Sequence, residues 1–222
     1  FRREKKRKLL QLASHKTFYG GVALVVLLFI GILLVLFFLR KPVPLSIDDY
    51  HAMNLNGELD PKEGYLYNGF SFVKVRGSWF TRLQRKNTNE SYHLEVRYGP
   101  RDVEEIPLSG DYAYLLTFNS TFITFDPTGK DFPHVALAAA DLSTNLVRVF
   151  NTTPVAACTL PDEKACANRP IITCTPGVPT IFIKEDSVPA VTAQGTCITV
   201  QGEDFDLVKS ANRLLLAWYG IM

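Results

Sequence analysis

The chain has 222 residues, 47% of them hydrophobic, and a formal net charge of +2. That length suits an anchor segment followed by one ordinary domain with its own core. The basic excess sits at the start, in "FRREKKRK", and the rest is mildly acidic, which argues against a nucleic-acid-binding domain.

Residues 1–17 read as a basic tail and 18–39, "FYGGVALVVLLFIGILLVLFFL", as a transmembrane helix. The run carries no charge, and at about 1.5 Å per residue it spans roughly 33 Å, enough for a hydrocarbon core of about 30 Å. It is too long for a cleaved signal, and no small-residue cleavage site comes after it. Arg2, Arg3, Lys5, Lys6, Arg7, Lys8 and Lys16 precede it, whereas only Arg40 and Lys41 lie close on its C-terminal side. The positive-inside bias then leaves the N-terminus in the cytoplasm and translocates the C-terminal remainder of the chain. The expected location is the cell membrane, as a single-pass protein in contact with the lipid bilayer.

Residues 40–64 are rich in Pro, Gly and Asp and read as a juxtamembrane stalk. The domain is expected over 65–222. Three β-like runs, at 70–76, 78–84 and 92–98, are joined by an Arg-Gly turn and the polar "KNTNE", and predict a small antiparallel meander. "RYGPRDVEEIP", with Arg97, Arg101, Glu104 and Glu105, reads as a solvated charged loop. After it, "STFITFDPTGK" predicts a buried strand and turn. "DFPHVALAAADLSTNLVRVF" predicts a helix capped by Asp131, with Pro133 in its first turn and Val135, Ala138, Leu142, Leu146 and Val149 on one face. "PVAACTL", "PIITCT", "PTIFIKE" and "TCITVQG" predict four further strands, and the closing helix carries a stripe of Leu207, Ala211, Leu214, Leu215 and Trp218. The fold class is therefore α/β, or α+β: a transmembrane helix, a β-meander, then a mixed sheet with two covering helices.

Cys158, Cys166, Cys174 and Cys197 all lie on the translocated side, with no CxxC of the zinc or redox kind. Two disulfides are expected. Of three connectivities we favour Cys158 with Cys166 across a short loop and Cys174 with Cys197 between neighbouring strands. Asn89, Asn119 and Asn151 each open an N-x-[ST] sequon on the same side, as glycosylation there requires.

The order of strands and helices, with "GVPTIFI" before the penultimate strand, resembles a thioredoxin-like domain, in which Pro179 would match the usual cis-proline. "DPTGKDFP" stands where that family carries its CxxC, so the resemblance implies no redox activity. "CITVQGEDFDLVKSANRLLLAWYGIM" with "ANRPIITC" is similar to the ends of uncharacterised membrane-anchored proteins of small-genome archaea. That resemblance implies a surface location and no known chemistry.

An aspartate at the carboxyl end of a buried strand, before a glycine turn and a helix N-terminus, is where α/β domains place ligands. "FITFDPTGK" has that form and resembles the "DKTGT" of phosphoaspartyl-forming hydrolases at Asp126, Thr128 and Gly129, but departs from it at Pro127 and Lys130. Asp126, Thr128 and His134 are thus the candidate catalytic residues of a tethered hydrolase or transferase; the plainer reading is a type I turn. Asp204 and Asp206 form a D-x-D pair better explained by the favourable start of a helix. Trp79 and Trp218 read as packing residues. No metal site and no cofactor are expected. The leading expectation is an extracytoplasmic binding or scaffolding module of the cell envelope, with an envelope protein or a glycan as partner, rather than an enzyme.

Overall fold

The computed structural model describes residues 24, 26–38, 44–84, 90–162 and 164–222. The chain divides into two compact units, 1–45 and 46–222. In the first, residues 26–38 are helical, and every side chain from Val26 to Phe38 is exposed except at Gly31. The basic tail, the ends of the expected transmembrane run and Asn89 lie outside the described residues. No helix among the described residues is long and apolar enough to cross a membrane.

The second unit is mixed α/β, with one antiparallel sheet, one mixed sheet and helices. It opens at helix α1, Ile47–Leu55, inside the stretch expected to be a stalk. Ser46 starts the helix with a reciprocal capping box: its hydroxyl accepts the Asp49 N–H, and the Asp49 carboxylate accepts the Ser46 N–H at 2.8 Å. The helix is held by polar side chains. Buried Asn54 donates to the carbonyls of Tyr65 and Phe72 at 3.1 and 3.3 Å and to the Ser71 hydroxyl at 2.7 Å. Of the stretch read as a stalk over 40–64, residues 46–64 belong to the second compact unit.

The meander has four strands where three were expected: β1, Gly64–Tyr67; β2, Phe70–Val75; β3, Ser78–Gln84; and β4, Ser91–Val96, in spatial order β1-β2-β3-β4. Asn68-Gly69 and Arg76-Gly77 make its first two turns with positive φ at both positions (46° and 83°, 54° and 91°), the backbone that two-residue hairpins need to match strand twist. The "RYGPRDVEEIP" segment is a short helix, α2, Pro100–Val103, with Val103 and Ile106 buried and the Arg101 guanidinium 4.1 Å over the Tyr65 ring. It is more than a solvated loop.

The second sheet contains β5, Leu108–Ser109; β6, Ser120–Phe125; β7, Thr153–Cys158; β8, Thr180–Glu185; β9, Ala190–Gln194; and β10, Cys197–Gly202, in the order β5-β9-β10-β8-β6-β7. β10, β8, β6 and β7 run parallel, and β9 pairs antiparallel with β10. A 3-10 turn, Tyr114–Thr117, precedes β6. Helix α3, Phe132–Arg148, crosses from β6 to the parallel β7, the connection that strand, helix, strand patterning predicts. Helix α4, Asp204–Trp218, comes after β10. "IITC" is not a strand: Ile171 makes one isolated bridge to Cys158, and the chain then turns through Thr173 to Val178. Nor is Pro179 cis. The described residues contain no cis peptide bond, and the Pro179 carbonyl accepts the Phe122 N–H at 2.9 Å as an extension of the β6–β8 ladder.

Both disulfides are present with the favoured pairing, Cα atoms 6.2 Å apart for Cys158–Cys166 and 5.4 Å for Cys174–Cys197. Two apolar clusters result, one between the mixed sheet and its helices and one inside the meander. α4 serves both, Leu207, Ala211, Leu214 and Leu215 in the first and Leu216 in the second, which is why it is apolar on more than one side.

Candidate functional site

The carboxyl ends of β6 and β8 lie side by side where the chain changes direction: β6 leads to β7 on one side, and β8 leads by way of β9 to β10 on the other. Such switch points are where open α/β sheets place ligands. Here the crevice is filled from within. The Asp126 carboxylate accepts both the N–H and the hydroxyl of Thr128, at 2.8 and 2.7 Å, a closed Asx turn. Glu185, at the end of β8, accepts the Lys130 N–H at 3.0 Å and the Asp131 N–H at 3.1 Å. The backbone donors just ahead of α3, a natural anion site, therefore already hold a carboxylate. Gly129 permits this, since a Cβ there would collide with Glu185 Oε1.

Asp131 stands at the N-cap of α3 but does not cap it with its side chain. One carboxylate oxygen bonds His134 Nδ1; the other accepts the Asp204 N–H at 2.8 Å. Asp204 adopts φ 50° to present that N–H, so Asp131 clasps the starts of α3 and α4 together. The His134 ring meets Phe205 edge to face, with centroids 4.6 Å apart. Asp131, His134 and Asp204 offer ligand atoms within 4.8 Å of one another, the one such group among the described residues. A nitrogen and two carboxylates suit a divalent transition metal. In this arrangement, however, His134 Nδ1 and Asp131 already satisfy each other. Asp206, the other half of the D-x-D pair, is taken by Lys209 Nζ at 2.7 Å. Among the described residues no hydrogen bond or ion pair joins Asp126 or Thr128 to His134: the first two bond each other, and His134 bonds Asp131.

The open concavity is elsewhere. A cleft of about 990 Å³ runs between β4 and one face of helices α3 and α4. Its α3 wall is Asp141, Thr144, Asn145 and Arg148, residues that recur every three to four positions and so share a face. At one end the Arg97 Nε–H is shared between the two Asp141 oxygens, each 3.2 Å away. Asn212, fully buried, donates to Asp141 at 3.1 Å and accepts the Tyr98 N–H at 3.0 Å. Burial pushes the Asp141 carboxyl above its ordinary value, against the lowering by Asn212 and Arg97. At the other end Phe150 lies 5.7 Å from the Trp218 ring and 5.2 Å from Tyr219. The Tyr219 hydroxyl donates to Asn145 Oδ1 at 2.6 Å, and burial raises its pKa strongly.

No family model, curated protein or solved structure matches the chain. The cleft must therefore be read from its own chemistry. Sequence reasoning missed it because its walls are far apart in the chain. One signal was available: Asp141 is a lone carboxylate inside "VALAAADL", and a charge in such a run needs a partner. The sequon asparagines Asn119 and Asn151 are exposed at the opposite end of the mixed sheet from the Asp126 turn, just ahead of β6 and β7.

Proposed function

We propose that the protein is a single-pass, membrane-anchored module whose α/β domain lies outside the cytoplasm and binds an envelope partner through the cleft beside β4. The uncharged run over 18–39 with its basic N-terminal flank supports the anchor and its orientation. Pairing of all four cysteines supports an oxidising compartment.

The observation that carries the binding reading is the contrast between the two concavities. The crevice at Asp126 is occupied by the protein's own Thr128 and Glu185 contacts, whereas the cleft beside β4 is open and lined by aromatic and polar side chains in the mixture typical of binding sites. The alternative, a tethered hydrolase or transferase using Asp126, Thr128 and His134, has less to support it, because Asp126 and Thr128 bond each other and His134 bonds Asp131.

Photocrosslinking tests this reading in native membranes carrying the full chain. A photoreactive residue at Thr144, exposed on the cleft wall, should form an adduct; the same residue at Gln194, exposed at the end of β9, should not. No adduct from Thr144, or equal adducts from both positions, would defeat the proposal.

A further inference from the structure

The shape of the cleft identifies what it receives. Every residue from Tyr92 to Arg97 lines it. Successive side chains of a strand point to opposite faces, so an unbroken run of lining residues means that the cleft borders the edge of β4, and Ser78, Phe80 and Gln84 of β3 show that it also extends over a face of the sheet. β4 is the terminal strand of the meander and has no strand on its outer side among the described residues. Across from it, two polar side chains of the helical wall, Asp141 and Asn145, are occupied, while Thr144 and Arg148 are exposed. Asp141 holds Arg97 and Asn212, and Asn145 accepts from Tyr219 and donates to the Asp141 carbonyl at 2.8 Å. A glycan would need those planar groups free. What the cleft offers instead is a strand edge, the aromatic end at Phe150, and Arg148, which is exposed and makes no ion pair among the described residues.

We infer that the cleft binds an extended peptide segment of a partner protein, which adds to the meander as a fifth strand along β4 and directs a carboxylate to Arg148. The inference rests on the cleft-binding reading and names its partner class. Main-chain hydrogen bonds to an open edge supply affinity in such complexes, and side-chain pockets supply specificity. β4 is six residues long, so about 20 Å of extended peptide fits beside it. A second copy of this chain does not fit. Its own β4 is flanked by β3 on one edge and faces its α3 and α4 across the cleft on the other, so in each copy the helices stand between the two edges. Arg97 is neutralised by Asp141 and Arg148 is not, so the unmet positive charge of the lining lies at the aromatic end, where an acidic side chain or a C-terminal carboxylate would sit; Glu95, also in the lining, lies on β4 two residues from Arg97.

The test uses the full chain in nanodiscs and, as probe, a displayed library of linear octapeptides counter-selected on the Thr144→Trp variant, whose melting temperature verifies its fold. Enriched peptides should alternate apolar residues and carry an acidic group. N-methylation at alternate residues, which removes main-chain donors, should weaken an enriched peptide about tenfold or more, and Arg148→Glu should do the same. No enrichment over Thr144→Trp, or undiminished binding by the N-methylated peptide or to Arg148→Glu, overturns strand addition. If Thr144 still crosslinks in membranes while the octapeptides fail, the cleft remains a binding site and only its peptide assignment falls.

Discussion

Arg97 and Asp141 join β4 to α3 across one end of the cleft, with the guanidinium Nε–H 3.2 Å from both carboxylate oxygens. The two partners are unequal. Arg97 is about half exposed, while Asp141 is mostly buried and also accepts from Asn212, which is fully buried. Arg97→Ala should therefore cost about 1 kcal/mol or less, as for an exposed ion pair. Asp141→Ala should cost about 1–3 kcal/mol, because it leaves a buried amide without its acceptor. Denaturant titration of the solubilised chain measures both, and equal losses would refute the assignment.

His51 should make stability depend on pH. It is buried, with Nδ1 2.9 Å from the Ser71 hydroxyl, Nε2 without a partner, and its ring stacked 5.8 Å from His93. Burial, then His93 and Arg82, lower its pKa below the ordinary 6.5 against the opposing pull of Asp48. The unfolded chain then takes up the proton first, so stability is full above about pH 6.5 and falls as pH drops below it. One such group contributes a slope of at most about 1.4 kcal/mol per pH unit. Melting temperatures of wild type and His51→Gln should differ most at neutral pH and converge towards about pH 5. A constant difference would show that His51 does not titrate in this range.

Glu185 and Gly129 form one unit. Glu185→Ala removes the acceptor of two backbone N–H groups, and Gly129→Ala pushes the same carboxylate away. Each change should cost about 1–3 kcal/mol. Because both abolish the same contact, the double variant should be little worse than the worse single one. Additive losses would mean that Gly129 matters for another reason.

The disulfides should stabilise without reacting. Closing the chain between Cys174 and Cys197, 23 positions apart, contributes about 3 kcal/mol by the chain-entropy estimate, and the shorter Cys158–Cys166 loop somewhat less. Alkylation of native membranes without reductant, with intact-mass analysis afterwards, should find no modified cysteine. Four modified cysteines would contradict both the pairing and the compartment.

The elements legible in the sequence were those whose burial has a regular period. Val135, Ala138, Leu142 and Leu146 of the expected α3 stripe are buried, while Val149 stands half-buried at the C-cap beyond the helix; Leu207, Ala211, Leu214, Leu215 and Trp218 of α4 are all buried. α1 escaped notice because it docks through His51 and Asn54, polar residues with no apolar stripe around them. β9, "AVTAQ", alternates between half-buried and buried positions but uses small residues that look like linker. "IITC" has strand composition, yet Pro170, Pro176 and the Cys174 bridge turn it away from the sheet. At the Asp126 turn the sequence placed an aspartate between a buried strand and a helix, and Asp126 does follow β6 and precede α3. It could not reveal that Glu185, far along the chain at the end of β8, fills the place a ligand would take.

The most direct test of the account is which side of the membrane the domain occupies. A recognition site for a specific protease, inserted after Leu45 at the boundary between the two units, lets cleavage report its location in right-side-out vesicles of an N-terminally tagged chain. Protease added outside should release the domain of residues 46–222 into the supernatant while the tag stays with the sealed vesicles. Release only after the vesicles are lysed would place the domain inside and contradict the anchored, outward-facing binding module.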